Sequence, residues 1–386
     1  MRKFILFLLT AAMMIVPACS LAEYHSYQLI TDEHPANYIW TFWPLDARNV
    51  IVRACSITGN PWRVSWYRDG RLYRELTYSD MDWDEEGQLM PKPAAWDGER
   101  LTMSYARRKG EKKYIGDDFL KKVDPANYEP LAAEWTDNGL EHETALPETW
   151  DSAWDNGRTN VYRGNNAWTV VNGETETILP FRGDGKESVI ACTAAGEDAI
   201  LMKIGTETSG AFAVRVDHGE ERYRAQLPPE EMIDGRIFLP DRLGGFFYME
   251  GYRPGNYTPI HLAHYRADGK ADRTLALKGD RVVVNVCASF IGEDGICTLY
   301  GSAIAHSRKL YTVFAMTLDE DLSVKKLEVR KIDPQYGEYD PQIYMAPDGT
   351  AYVLINEVVG NAGLPSVLIP FSELKKSSKT YGLTLN

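Results

Sequence analysis

The chain has 386 residues, a formal net charge of −13, 44% hydrophobic residues, 10 Trp and 22 Tyr. That composition excludes a disordered or fibrous chain, and the acidic balance argues against nucleic acid or an anionic membrane surface as partner. Beyond residue 22 the cysteines are Cys55, Cys192, Cys287 and Cys297, too few for a disulfide-built scaffold.

The N-terminus reads "MRKFILFLLTAAMMIVPACSLAEYHS". A basic start (Arg2, Lys3), an apolar run from Phe4 to Val16 and the small-x-small site Ser20-Leu21-Ala22 predict a cleaved export signal over residues 1–22. The competing reading is a lipoprotein anchored through Cys19, with Pro17 as the residue that disfavours it. No later segment is long and apolar enough to be a transmembrane helix. The expected location is secreted or extracytoplasmic.

From there, period-two strands meet tight turns along the whole chain. "RVSWYRDGRLYREL" turns at Asp69-Gly70, "AWTVVNGETETILPF" at Asn172-Gly173, "AFAVRVDHGEERYRAQL" at Gly219 and "HLAHYRADGKADRTLAL" at Asp268-Gly269. Alternating apolar residues around Asn-Gly or Asp-Gly predict hairpins, because both turn positions need positive φ. A first series of turns falls at Ala47, Asp97, Asn156, Glu197, Leu243, Asp294 and Asp348; a second at Gly70, Pro125, Gly173, His218, Gly269, Glu320 and Phe371. Both series repeat about every 50 residues, which predicts four strands per unit.

Residues 23–386 are therefore expected to form an all-β, seven-bladed β-propeller of four-stranded antiparallel blades. Either "SYQLI" or "TYGLTL" would complete the last blade. The chain resembles the β-propeller repeat superfamily in its secreted bacterial form. The kelch-like glycine pair occurs once, at Gly244-Gly245, the Gly-His and Trp-Asp signature of WD40 repeats is missing, and "SAWDNGRT" resembles a sialidase Asp-box with one residue too many. That single copy brings no sialidase activity with it.

Propeller analogy puts ligands on the face formed by the second-to-third-strand loops and the blade-to-blade loops. There "SDMDWDEEG" offers Asp80, Asp82 and Asp84 as candidate calcium ligands, although Glu85 and Pro91 break the EF-hand pattern. Candidate ligand-binding residues on the same side are Trp62, Tyr252, Arg253, His306, Tyr336 and Asp340. Flat aromatics beside arginine and carboxylate suit a sugar ring or an extended peptide.

No nucleophile elbow, phosphate loop or zinc motif is present, and His261 and His264, three apart on a strand, point to opposite faces. Cys287 and Cys297 lie on adjacent strands, with Cys287 expected opposite residue 302, so both are expected to be free thiols. The reading is a non-catalytic binding module for a protein, peptide or glycan at the cell envelope. The competing reading is a glycan hydrolase or lyase using Asp82, Asp151 and Asp340.

Overall fold

The computed structural model describes residues 27–28, 37–56, 62–78, 91–108, 128–145, 159–163, 167–172, 175–182, 187–195, 199–206, 210–228, 238–249, 257, 259–292, 294, 296–308, 310–332, 341–346, 349–355 and 367–386. They form seven antiparallel sheets. In chain order these occupy residues 37–78, 92–145, 159–180, 187–226, 238–278, 283–331 and 342–370. Six carry at least four strands; the third, Thr159–Arg163, Ala167–Asn172 and Thr175–Pro180, has three among the described residues. In the first six sheets the strands follow chain order from first to last, as expected for hairpins laid side by side.

From the third sheet to the seventh, the first described strands of successive sheets touch one another. Thr159–Arg163 meets Glu187–Ala194, which meets Phe238–Pro240, then Val283–Ile291, then Gln342–Met345. Gln342–Met345 in turn meets Asn37–Pro44 of the first sheet, so the end of the series returns to its beginning. This is a β-propeller arrangement of antiparallel blades.

The core explains why the strands read as they do. Most of it is divided into seams between neighbouring sheets: Trp66 and Met103 join the first two, Trp168 and Met202 the third and fourth, Tyr223 and Phe246 the fourth and fifth, and Phe247 and Phe314 the fifth and sixth, while Tyr105, Leu131 and Ala133 cluster within the second. Val313 with Val353 and Phe42 with Tyr352 continue the pattern around to the first sheet. A blade covered on both faces must be apolar at every position, not at alternate ones. Phe246–Met249 is buried throughout for this reason: Phe246 and Tyr248 face the fourth sheet, Phe247 and Met249 the sixth.

The turns match the sequence closely. Asp69 and Gly70 both have positive φ (52° and 73°), as do His218 and Gly219 (48° and 76°), the backbone of a tight hairpin that follows strand twist. Two turns differ from expectation. The second sheet turns at Asp137-Asn138, between Tyr128–Thr136 and Gly139–Ala145, instead of near Pro125. Asn138 precedes Gly139, whose φ of 110° meets the turn's demand. Phe371–Glu373 is a short 3-10 turn, not a hairpin, because the fourth strand of the last sheet comes from the other end of the chain.

That strand is Tyr27–Gln28, paired with Leu368 and Val367. The C-terminal segment has a different role. Lys375–Lys376 adds a fifth strand to the sixth sheet beside Arg330 and Lys331, and Thr384–Leu385 adds one to the fifth sheet beside Leu277 and Lys278. Residues 375–386 thus strap the outer edges of two blades. Leu374, Leu383 and Leu385 are buried beneath the strap. Among the described residues no helix is long and apolar enough to cross a membrane.

The cysteine register needs a correction. Ser302 faces Asn285, and Cys287 sits at a bulge between Val286 and Ala288, where the strand carries one extra residue. Cys192, Cys287 and Cys297 are free thiols, as expected.

Candidate functional site

Among the described residues the hairpin turns at 45–48, 69–70, 97–100, 137–138, 218–219, 241–245, 266–270 and 319–323 are short, and strand direction puts them on one face. The described strands that bound residues 79–91, 109–127, 227–237, 250–259, 332–341 and 356–366 end on the opposite face, from which these long connections leave. Long connections of this kind on a rigid scaffold are where recognition residues usually sit. Of the residues selected from the sequence, Tyr252, Arg253, Tyr336, Asp340, Asp80, Asp82 and Asp84 lie outside the described residues. His306 opens the 3-10 turn His306–Arg308 between two strands of the sixth sheet. Beside it Arg308 is exposed and donates to the Arg281 carbonyl. Tyr257 stands 55% exposed on the same face.

Trp62 is different. It begins the strand Trp62–Arg68, is 4% exposed, and has the Arg53 guanidinium 5.3 Å from its ring centroid. Its register partners are Cys55 and Tyr78. The indole forms the wall beneath the loop face.

Sequence reasoning did not anticipate a buried charge array in the fifth sheet. His264, 3% exposed, has Nε2 2.6 Å from Asp241 Oδ2 and Nδ1 2.6 Å from Asp272 Oδ1. Ionised carboxylates only accept, so an imidazole meeting one at each nitrogen donates from both and is the imidazolium. Burial pulls the His264 pKa down, but the two carboxylates outweigh it and hold the value above 6.5. Asp241 Oδ1 accepts from the backbone N–H of Leu243 (2.8 Å) and Gly245 (2.7 Å). The Gly244-Gly245 pair has a steric cause here: a Cβ on Gly245 would lie 1.9 Å from the Tyr265 carbonyl oxygen and 2.8 Å from Asp241 Oδ2.

The groups around this array are charged on one side and inert on the other. Arg273 lies 3.5 Å from Asp272, and Arg242 pairs with Glu320. Buried Cys297, with Sγ 3.8 Å from the Pro240 carbonyl, has its thiol pushed up to about 12 by burial. Tyr223 is raised by burial, with Arg215 opposing. With both ring nitrogens engaged, His264 has no lone pair for a metal or a substrate proton, and the neutral Cys297 thiol is no nucleophile. The array is a clamp joining a turn and two strands. His261, by contrast, is exposed, which agrees with the opposite-face expectation. Among the described residues no group of three His, Cys, Asp or Glu could hold a metal ion.

A second network closes the turn face between the first two sheets. The Asp46 carboxylate accepts from Arg48 N (2.7 Å), Asn49 N and Nδ2 (both 2.9 Å) and Trp96 Nε1 (3.0 Å). Asn49 Oδ1 accepts from Trp66 Nε1 and Arg68 Nε, each at 3.0 Å. Arg74 donates to Asp137 Oδ1 (2.6 Å) and to the Trp135 carbonyl while lying over Trp66 and Tyr73. These side chains bind each other across the seam.

No family model matches the chain, and no curated protein matches it in sequence. Solved structures resemble it at low identity. A prolyl endopeptidase matches at 12% identity and TM-score 0.42 over 83% of this chain and 46% of its own. A protein of unknown function from Bacteroides caccae matches at 11% and 0.35, over 67% and 90%. BBS1N, solved in complex with ARL6DN, matches at 10% and 0.38, over 89% and 99%. The chain spans about half the length of the prolyl endopeptidase it matches. At these TM-scores the likenesses carry no argument, and the propeller assignment rests on the sheet order and seams above.

Proposed function

We propose that the protein is an exported, non-catalytic binding module whose partner is a protein, peptide or glycan at the cell envelope. In this reading the third sheet counts as a blade and the ring has seven. The leader over residues 1–22 is removed, or the chain stays tethered through Cys19. The observation that carries the proposal is the asymmetry of the two faces. One carries short turns tied by internal hydrogen bonds; the other carries the long connections whose sequence holds Tyr252, Arg253, Tyr336 and Asp340, with Asp80, Asp82 and Asp84 as calcium ligands, beside the short turn that His306 opens. Aromatic and arginine anchors among polar neighbours suit such recognition.

The test is retention of solubilised envelope glycans and proteins by immobilised wild type and by a Tyr252→Ala, Arg253→Ala, Tyr336→Ala variant. The expected result is a retained partner that the variant loses by at least about tenfold, a truncation effect in the hot-spot range. Equal retention by both would place recognition elsewhere. Release of new reducing ends from the glycans would favour the hydrolase reading instead.

A further inference from the structure

The strap concentrates positive charge in an acidic protein. Lys278 and Lys331 end the outer strands of the fifth and sixth sheets, and the strap lays Thr384 opposite Lys278 and Lys375 opposite Lys331. Arg330 is paired in register with Lys376. Like charges directly opposite on an antiparallel pair repel, so this register works against the strap's own attachment. Buried Arg330 is compensated by Glu328 and the Leu374 carbonyl. Among the described residues no carboxylate pairs with exposed Lys278, Lys331, Lys375, Lys376 or Lys379. Exposed Arg281 follows Lys278 in the connection to the sixth sheet, where its carbonyl accepts from the loop-face Arg308. Against these bases the described side chains of the rim offer the carboxylates of Asp280 and Glu373, with Glu328 already engaged by Arg330 and Lys326.

The location follows from topology. The last strands of both blades run toward the loop face, and the strap pairs with their final residues. Between the two pairings the strap crosses from one blade to the next, fixed by Ser377 N to the Val329 carbonyl (2.8 Å) and Asp280 N to the Tyr381 carbonyl (2.7 Å). The lysines are thus spread along an ordered path, neighbours across the ladder lying about 5 Å apart. The apolar side of the strap is already occupied by the core, through Leu383 and Leu385. What remains outward is charge.

We propose that this strapped rim is a binding surface for an anionic polysaccharide, whose repeated carboxylate or phosphate groups lie along Lys331, Lys375, Lys376 and Lys379. The whole-chain charge of −13 opposes non-specific attraction to polyanions. A local row of unpaired ammonium groups is screened from distant acids within about a Debye length, ~8–10 Å, and still attracts at contact range. The surface lies at the outer edge of two blades and does not depend on the loop-face residues of the preceding section.

The experiment measures binding of the protein to immobilised polygalacturonate, phosphomannan and neutral dextran across a salt series. A strap variant carries Lys331→Ser, Lys375→Ser, Lys376→Ser and Lys379→Ser. A charge-matched control carries Arg71→Ser, Arg100→Ser, Arg222→Ser and Lys270→Ser. The expected result is salt-sensitive retention on at least one anionic polymer and none on dextran, weakened about tenfold or more in the strap variant and unchanged in the control. Retention on only one anionic polymer upholds the site and identifies carboxylate or phosphate as its ligand group. Equal loss in strap variant and control, or no retention of wild type at low salt, overturns it. The strap variant should melt at the wild-type temperature or above, since repulsion is relieved; a lower melting temperature would mean that the lysines hold the strap, and would contradict the proposal. The loop-face variant Tyr252→Ala, Arg253→Ala, Tyr336→Ala should bind the polyanion normally, which separates this site from the proposed loop-face function.

Discussion

The seam between the first and second sheets and the seam between the fifth and sixth solve one problem in two ways. Both must hold neighbouring blades together at their turns and outer edges. The first uses polar and aromatic side chains from consecutive turns: Asp46 reaches Trp96, and Arg74 reaches Asp137 and Trp135. The other uses remote chain, with Leu383 and Leu385 placed into a continuous apolar seam by a strap that arrives after the whole ring has been traced. A local network is distributed over several hydrogen bonds and loses little when one is cut. A strap concentrates its contribution in a few buried leucines, so its removal is a single large event.

Deleting residues 375–386 should have the largest effect. Two leucines at roughly 1.5–3 kcal/mol each imply a loss of about 3–6 kcal/mol in urea unfolding. Two uncovered strand edges should also promote association, visible by light scattering. Next comes His264→Leu, which leaves Asp241 and Asp272 facing an apolar side chain; by the cost of breaking a buried pair it should lose about 3–5 kcal/mol. Gly245→Ala should follow at about 1–3 kcal/mol, the overpacking range, because its Cβ meets the Tyr265 carbonyl. On the other seam Asp46→Ala should cost about 1–3 kcal/mol, for the buried donors left without an acceptor. Exposed Arg48→Ala, which removes the ion pair with Asp69, should stay within about 0.5 kcal/mol. If Asp46→Ala destabilised as much as deletion of the strap, the contrast between the seams would fail.

The pH dependence separates the seams further. The folded-state pKa of His264 is raised above 6.5. Its contribution to stability is therefore complete below about pH 6.5, where the unfolded chain is also protonated, and declines as pH rises through the folded value. Unfolding of wild type should show this decline as pH rises above about 6.5, and His264→Leu should lack it. An unchanged pH profile in that variant would mean that the imidazolium is not the titrating group.

The hairpins were legible because their chemistry is local: Asp69-Gly70 and His218-Gly219 carry the positive φ that their turns require. The approximate repeat followed from those turns. The turn at Asp137-Asn138 departs from the even spacing that points to Pro125, because Gly139 supplies the positive φ that a hairpin needs. The strap had no local signature, since Thr384–Leu385 pairs with a strand more than a hundred residues earlier. Likewise, the offset of three between His261 and His264 correctly excluded a shared ion, but nothing near His264 in sequence pointed to Asp241. A paired glycine after an aspartate in "DRLGG" was the available clue, because a carboxylate that accepts from its own turn leaves its second oxygen free for a neighbour. For the loop face the sequence offered residue types without geometry, and the asymmetry of connection lengths is what the structure adds.

Recognition is assigned above to the face of long connections, and hydrogen–deuterium exchange of the protein with and without solubilised envelope material tests that assignment. Exchange should slow in residues 250–259 and 332–341, with the turns at 69–70, 137–138 and 218–219 unchanged. Protection confined to those turns, or none on either face, would contradict it.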